Sequence, residues 1–179
     1  MSYRINEIFY SIQGEGYWTG RAAIFIRFSG CNLNCDYCDT QHEDFEQWTL
    51  REIIQEIDRW PSQFVVLTGG EPALQIDNAL IDALHARVYF IAVETNGTLM
   101  LPDNIDWITV SPKDKLWIAG NELKLVFQNQ DLREYADERF QHFYLQPLSE
   151  SNIKECVQAC KENPRWRLSL QIQKIIKER

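Results

Sequence analysis

Short apolar segments that recur along the chain constrain its fold more than any other sequence feature. They are enriched in Val, Ile, Phe and Tyr, a composition typical of buried strands. Helical patterns lie between several of them, so we predict an α/β fold with a mostly parallel sheet and helices outside it. The predicted strands are Ala22–Phe28, Phe64–Thr68, Val88–Glu94, Trp107–Ser111, Leu123–Phe127, Phe143–Gln146 and Arg167–Leu170.

The predicted helices are separated by at least one connection that lacks a helical pattern. Capping signals and apolar residues at helical spacing mark where the helices begin, and Pro61 ends the first of them. The segment Thr95–Asp106 shows no such pattern, so at least one crossover helix is expected to be missing. The predicted helices run from the capping box Thr49–Glu52 to Pro61, from Asp77 to Arg87, and over Leu132–Glu138 and Ile153–Glu162.

The length of the chain limits how far such a sheet can close. A complete eight-unit (βα) barrel needs about 200–250 residues, whereas this chain has 179. No internal repeat or Gly/Ser-rich linker divides it. We therefore predict one domain over residues 1–179, folded as a partial, open (βα) barrel.

The charge balance excludes two classes of partner. The chain has 26 acidic and 18 basic residues, giving a formal net charge of −8. Direct binding of nucleic acid or of a membrane surface needs a basic face, so neither is expected. The longest apolar runs are far shorter than the roughly 20 residues that span a bilayer, and the first residues resemble no export signal. We expect a cytoplasmic protein.

Small, polar or metal-binding residues follow five of the predicted strands directly. Because the carboxyl ends of parallel strands meet at one edge of a sheet, these five turns are predicted to form one site. The turns are Ser29-Gly30-Cys31, Gly69-Gly70-Glu71-Pro72, Glu94-Thr95-Asn96-Gly97, Ser111-Pro112-Lys113 and Gln146-Pro147.

Three of the five cysteines, Cys31, Cys35 and Cys38, lie within eight residues. This C-x3-C-x2-C spacing can hold three irons of a 4Fe–4S cluster and leave the fourth iron open. A zinc site completed by His42 is the alternative on spacing alone. The remaining pair, Cys156 and Cys160, is interpreted as two small apolar residues on one helix face.

The Gly69-Gly70-Glu71-Pro72 turn favours the cluster over zinc. Two glycines allow the backbone to approach a ligand closely, and the Glu71 carboxylate is expected to receive an ammonium group. An ordinary Gly/Pro turn is the alternative for this motif by itself.

The cysteine loop followed by this glycine turn resembles the radical S-adenosylmethionine (SAM) superfamily. The resemblance implies that the open iron chelates SAM, which the reduced cluster cleaves to methionine and a 5′-deoxyadenosyl radical. The cluster and SAM would then carry the radical chemistry, and no side chain is assigned as catalytic. The positions that match SAM contacts are Tyr37, Cys38, Asp39, Gly70, Glu71, Ser111, Pro112, Lys113, Gln146 and Pro147.

A finer resemblance covers almost the whole chain and is to the 7-carboxy-7-deazaguanine synthase family. The motifs that carry it are Ser11–Gly16, Arg27, Cys38-Asp39-Thr40, Thr68, Ser111-Pro112-Lys113 and Trp166–Gln171. It implies a lyase that contracts the ring of 6-carboxy-5,6,7,8-tetrahydropterin to 7-carboxy-7-deazaguanine with loss of ammonia, in queuosine or deazapurine biosynthesis. It also implies a homodimer, a flavodoxin-type electron donor, and Mg2+ with Thr40 as a ligand.

The same resemblance implies how the substrate is bound. Arg27 would form a fork to the substrate carboxylate, and the turn beginning at Ile12 would offer backbone groups and an amide to the pterin edge. The implied substrate-binding residues are Ile12, Gln13, Gly14, Arg27 and Thr68. Glu94 is a further candidate, because a carboxylate that ends an apolar strand is costly to bury unless it is used.

One position departs from the family, and two other functions stay open. Relatives usually carry His in the closing string, where this chain has Gln173, and an amide cannot become cationic. A glycyl-radical-enzyme activase would share the cysteine loop and the glycine turn. A non-catalytic zinc-stabilised binding module would use His42, but it leaves the five strand-end turns unexplained.

Overall fold

The computed structural model describes residues 2–38, 40–113, 118–136, 139–148 and 151–178. Within these residues, nine strands form one sheet in the order β3-β1-β2-β4-β5-β6-β7-β8-β9. The strands are β1 Ser2–Ile12, β2 Ala22–Phe28, β3 Glu46–Thr49, β4 Phe64–Gly69, β5 Phe90–Thr95, β6 Trp107–Val110, β7 Glu122–Phe127, β8 His142–Pro147 and β9 Trp166–Leu168. The helices are α1 Leu50–Ile57, α2 Asn78–His85, α3 Ile153–Glu162 and α4 Ile172–Ile176, with short 3-10 turns at Pro72–Leu74 and Leu132–Tyr135.

The sheet is mostly parallel and open. Each pair from β2–β4 to β8–β9 is parallel, whereas β1 runs antiparallel to both β2 and β3. β3 and β9 are the two edges, so the sheet does not close into a barrel. This confirms the predicted α/β fold with a partial, open barrel.

Helices cover the outer face of the sheet in two separate places. Helices α1 and α2 bury Ile53, Ile57, Leu80 and Leu84 against the first strands, and α3 buries Cys156 against the last ones. Full burial of each isoleucine or leucine contributes roughly 1.5–3 kcal/mol. No helix occupies 96–106, which confirms the missing crossover between β5 and β6.

Side-chain caps begin the two helices on the first half of the sheet. Thr49 and Glu52 form the predicted capping box, and Asp77 accepts the N–H of Leu80 at 2.9 Å. Neither helix is long, and within the described part of the chain no helix has the length and apolar character needed to cross a membrane.

Several predicted elements differ from the structure. The predicted helix Leu132–Glu138 is only a 3-10 turn over Leu132–Tyr135, and residues 137–138 lie outside the described residues. The strand predicted from Val88 begins at Phe90, because Val88 has a positive φ of 62° and is 81% exposed in a turn. Strand β9 ends at Leu168, two residues before the predicted Leu170.

Strands β1 and β3 and helix α4 were not predicted. β1 alternates buried Tyr3 and Ile5 with exposed Ser2 and Arg4, so it lacks the continuous apolar run of the parallel strands. A register irregularity between Ile5 and Glu7 interrupts the alternation further. Both β1 and β3 are antiparallel, and an antiparallel strand with one solvated face carries a weaker apolar signal.

Candidate active site

The carboxyl ends of the parallel strands border a cavity of about 690 Å³. This volume lies within the range of roughly 300–1,000 Å³ that is typical of small-molecule sites. The predicted site residues that line it are Ile12, Gln13, Gly14, Arg27, Cys31, Cys35, Tyr37, Cys38, Thr40, Thr68, Gly70, Ser111, Lys113, Gln146 and Pro147. Glu71 and Pro112 do not line the cavity, and Asp39 lies outside the described residues.

The three clustered cysteines lie on the loop after β2 and face the cavity as free thiols. The backbone N–H of Leu33 donates to Sγ of Cys31 at 3.4 Å. Burial raises the pKa of the Cys35 thiol, while the nearby ammonium of Lys113 partly opposes that effect. A cation beside the loop suits thiolate ligands, so the donor set fits a cluster with three cysteine ligands.

The zinc alternative would use His42 together with the three cysteines. Within the described residues, no three His, Cys, Asp or Glu side chains converge on a single metal ion, and this holds for the cysteines as well as for His42. His42 lines the same cavity, its Nδ1 is buried without a hydrogen-bond partner, and its carbonyl oxygen accepts Ser29 Oγ at 2.5 Å.

The glycine turn packs directly against the cysteine loop. The N–H groups of Gly70 and Glu71 donate to the carbonyl oxygens of Phe28 and Gly30 at 3.1 and 2.9 Å. A Cβ atom at Gly70 would lie 2.1 Å from the Gly30 oxygen. Gly70 is therefore required for the contact between the two loops, in addition to any approach of its backbone to a ligand.

The Glu71 side chain points away from the cavity and is fully buried. Its carboxylate accepts Thr95 Oγ1 and the Asn96 N–H, each at 2.7 Å, and the Ala73 N–H at 3.0 Å. Burial raises the pKa of this carboxyl group, although the three donors favour its ionised form. The set of hydrogen bonds to Glu71 differs from the prediction that its carboxylate receives the ammonium group of SAM. Backbone and hydroxyl donors of the protein already engage both carboxylate oxygens.

Asn96 connects Glu71 to the cysteine loop. The Asn96 side chain donates to Asn32 Oδ1 at 3.0 Å, and Asn32 donates to Thr98 Oγ1 at 2.8 Å. Because Asn32 directly follows Cys31, these contacts fix one end of the loop that carries the thiols.

Arg27 and Thr68, which also line the cavity, each contact a carboxylate. Arg27 Nε donates to Glu7 Oε1 at 2.8 Å. Thr68 Oγ1 and Gln13 Nε2 donate to the two oxygens of Glu94 at 3.0 and 3.1 Å. Glu94 thus lies in the cavity wall beside predicted substrate-binding residues, the position expected of a carboxylate that is used.

A buried charge cluster in the same wall was missed from the sequence. Lys124 Nζ donates to Glu15 Oε2 at 2.5 Å and lies 3.7 Å from Glu94 Oε1. Glu122 is buried near this lysine, and its Oε2 accepts the N–H of Tyr17 at 3.0 Å. The sequence carried one signal of this cluster, a lysine in the middle of the apolar strand Glu122–Phe127. Because an unpaired lysine is almost never buried, Lys124 could have been expected to have an acidic partner.

The C-terminal segment closes this side of the cavity. The Nε2 groups of Gln171 and Gln173 donate to Glu15 Oε1 at 2.8 and 3.1 Å. The Gly14 carbonyl accepts the Ile172 N–H at 3.1 Å, and a Cβ at Gly14 would lie 1.6 Å from Gln173 Oε1. The turn after β1 and the closing string thus form one continuous wall.

Two features on the cysteine side of the cavity fit a polar ligand. Lys113 Nζ donates to Ser111 Oγ at 2.9 Å and lies 5.8 Å from the centre of the Tyr37 ring. The side-chain oxygen of Gln146 is buried without a hydrogen-bond partner. Because a buried acceptor without a partner is costly, a donor from a ligand in the cavity would stabilise it.

Comparisons with known proteins agree with this geometry. Residues 25–113 match the profile of the Radical SAM superfamily. A 7-carboxy-7-deazaguanine synthase from Bacteroides thetaiotaomicron is 52% identical over 98% of both chains. The enzyme of that name from Bordetella pertussis is 41% identical over 98% of this chain and 99% of its own. The crystal structure of QueE from Escherichia coli matches with a TM-score of 0.81 and 30% identity over 96% of this chain and 94% of that one.

Proposed function

The chain belongs to the 7-carboxy-7-deazaguanine synthase family of the radical SAM superfamily, and we propose how the residues around its cavity perform that family's reaction. The enzyme is a lyase that contracts the ring of 6-carboxy-5,6,7,8-tetrahydropterin to 7-carboxy-7-deazaguanine with loss of ammonia, in queuosine biosynthesis. When bound, the cluster and SAM supply the electron and the carbon radical that start this reaction.

One observation carries the assignment of roles: the cysteine loop and the Arg27, Thr68 and Gln13 side chains line the same cavity. Cys31, Cys35 and Cys38 would hold the cluster at one side. Substrate bound at the other side would be exposed to the radical, while the surrounding walls exclude water. Proximity of this kind is the protein's main contribution when a cofactor supplies the chemistry.

The SAM side of the cavity consists of residues from the ends of four strands, β2, β4, β6 and β8. Tyr37 offers an aromatic face for the adenine, Lys113 and Ser111 offer a cation and a hydroxyl, and the unpartnered oxygen of Gln146 accepts a donor. The remaining predicted contacts come from the backbone at Cys38 and Gly70 and from Pro147, which lie along the same wall.

The substrate side is polar and has donors for a carboxylate. Arg27 uses Nε for Glu7, so its terminal nitrogens would bind the pterin carboxylate as a fork. The turn Ile12-Gln13-Gly14 and the Thr68 hydroxyl would contact the ring edge. Thr40 lies at the cavity between the two sides and would provide one oxygen ligand to Mg2+, with substrate and water completing the shell.

We also propose that the protein acts in the cytoplasm as a homodimer and receives electrons from a flavodoxin-type donor. Strand β9 is an open sheet edge, and Ile175 and Ile176 of the neighbouring α4 are 61% and 50% exposed. A second copy would cover such an edge and its apolar neighbours. Cys38 is exposed, so a reductant can approach the cysteine loop.

Anaerobic turnover tests the function directly. The reconstituted enzyme is incubated with 6-carboxy-5,6,7,8-tetrahydropterin, SAM and a reductant, and products are identified by mass. We expect 7-carboxy-7-deazaguanine together with 5′-deoxyadenosine. Cleavage of SAM without any deazaguanine product would contradict the proposal and would favour an activase that acts on a partner protein.

A further inference from the structure

Lys124 is a buried lysine on the inner face of β7, with 7% of its side chain exposed. Its ammonium donates to Glu15 at 2.5 Å and lies 3.7 Å from Glu94. Both partners lie on other elements: Glu15 is in the turn after β1, and Glu94 is near the end of β5. The lysine therefore joins three separate parts of the cavity wall.

Each carboxylate that Lys124 contacts is also bonded to a cavity-lining side chain. Glu15 accepts the amide groups of Gln171 and Gln173, and Glu94 accepts the amide group of Gln13 and the hydroxyl group of Thr68. Lys124 is thus the central group of a network whose outer members face the ligand. Displacing the ammonium would release both carboxylates, and with them the donors that those carboxylates orient.

The charges around Lys124 favour its pairing with Glu15. Burial alone would raise the pKa of the Glu15 carboxyl group, but Lys124 and the amide donors outweigh this and the pKa is lowered. Burial, with Glu94 and Glu15 nearby, raises the pKa of Glu122 to about 7, although Lys124 opposes the increase. Near neutral pH, Glu122 is therefore partly protonated and competes less for the ammonium.

Other titratable groups face the same network from β8, β9 and α4. Tyr144 pairs with Lys124 across β7 and β8, and burial raises its pKa, so it stays neutral at physiological pH. Arg167 of β9 donates to the Tyr144 hydroxyl at 3.3 Å. Lys174 and Glu178 line the same cavity from the C-terminal segment.

We propose that Lys124 is a positioning residue that orients Glu15 and Glu94 in the cavity wall and thereby sets the affinity for the pterin. This inference rests on the proposed function. A purely structural role explains the lysine less well, because well-packed apolar residues stabilise a protein interior at least as well as a buried ion pair.

Two substitutions remove the two halves of the pair between Lys124 and Glu15. Lys124→Met keeps the length of the side chain and removes the charge, so Glu15 becomes harder to ionise. Glu15→Gln keeps an oxygen that can accept from the Lys124 ammonium and removes the carboxylate that titrates. Lys154→Met, on the exposed face of α3, is the matched control for loss of a lysine.

The pH profile of kcat/KM for the pterin distinguishes the variants. With Lys124→Met we expect kcat/KM at neutral pH to fall about 10- to 150-fold, mainly through KM, and the acid limb to move to higher pH. With Glu15→Gln the acid limb that this carboxylate sets should disappear, and with Lys154→Met it should not move. If Lys124→Met does not fold, the loss of the acid limb in Glu15→Gln still decides.

An acid limb that coincides in wild type and Glu15→Gln, or in wild type and a folded Lys124→Met, would overturn the inference. Binding of the pterin to the anaerobic holoenzyme, measured by calorimetry across pH, gives the same comparison without turnover. If the affinity for the pterin depends on pH in wild type and the variants as expected, but no 7-carboxy-7-deazaguanine forms, the proposed reaction is wrong and the role of Lys124 stands. If the pterin does not bind to wild type, both are wrong.

Discussion

The Glu71 carboxylate accepts the backbone N–H of Asn96 at 2.7 Å, and the Asn96 side chain donates to Asn32 in the cysteine loop. The carboxylate of the Gly69-Gly70-Glu71-Pro72 turn therefore acts inside the protein. It joins the ends of β4 and β5 to the loop that would hold the cluster. The part of this turn that reaches the cavity is its glycine backbone.

Replacing Glu71 by Gln should weaken both stability and cluster binding. The amide places a donor where the carboxylate accepted one, so a buried N–H or hydroxyl loses its partner. That loss costs about 1–3 kcal/mol. We expect a lower Tm in thermal unfolding and fewer irons per chain after reconstitution. The control Glu155→Gln, on exposed α3, should change neither, and an unchanged iron content in Glu71→Gln would contradict the positioning of the loop through Asn96.

The sequence predicted the parallel part of the fold well and the antiparallel part poorly. Strands such as Phe64–Gly69 are buried on both faces, so a continuous apolar run identifies them. In β1, exposed Arg4 and the irregularity before Glu7 hide the alternation. Residues Leu132–Glu138 have helical composition, but the described part of this range forms only a 3-10 turn over Leu132–Tyr135, since local propensity is a weak determinant.

The site could be predicted where one motif supplied the residues, but not where distant residues converge. The cysteine loop and Arg27 follow from short strings and from strand order. The contact between Glu15 and Lys124 joins residues 109 positions apart, and only the folded sheet brings them together. The direction of the Glu71 side chain likewise depends on donors from Asn96, which no local pattern reveals.

The cluster depends on all three clustered thiols. Cys35→Ala should abolish iron binding and turnover together, because two thiolates do not retain the cubane. Iron analysis and the broad absorbance near 400 nm measure the first effect, and product formation measures the second. Cys160→Ala, in α3 and away from the cavity, should retain both at a modest cost in Tm. A Cys35→Ala protein with full activity would refute the cofactor assignment.

Glu122 should make the folded protein less stable at alkaline pH. Burial raises its pKa from the usual value near 4.5 to about 7, so ionisation is less favourable in the folded state. Its contribution is therefore greatest below pH 4.5 and is lost as the pH rises through about 7. Glu122→Gln removes this loss, so its Tm relative to wild type should increase as the pH rises from 4.5 to 8, by an amount on the order of 3 kcal/mol in unfolding free energy. A difference in Tm that does not vary with pH would argue against a titrating Glu122.

Thr40→Val tests the proposed magnesium ligand, since it keeps the shape of the side chain and removes the hydroxyl oxygen. Mg2+ binds oxygen ligands almost exclusively, so the stimulation of turnover by added Mg2+ should shrink more than the rate without it. Turnover is titrated with MgCl2 at saturating pterin. The control is Thr19→Val, an exposed threonine outside the lining of the cavity. Equal stimulation in Thr40→Val and wild type would exclude the hydroxyl as a ligand.

Arg27 should control the affinity for the pterin and leave the binding of SAM unchanged. Its guanidinium lines the cavity and is held by Glu7. Loss of one charge-assisted fork removes about 1.5–3 kcal/mol, so Arg27→Ala should raise KM for the pterin roughly 10- to 150-fold. Slow cleavage of SAM without substrate should continue at the wild-type rate. The matched control is Arg59→Ala, which also breaks a pair with a glutamate, Glu56, but on the surface, where such pairs contribute little. Saturation curves for the pterin are compared among the three proteins, and an Arg27→Ala curve that matches wild type would show that the substrate carboxylate binds elsewhere.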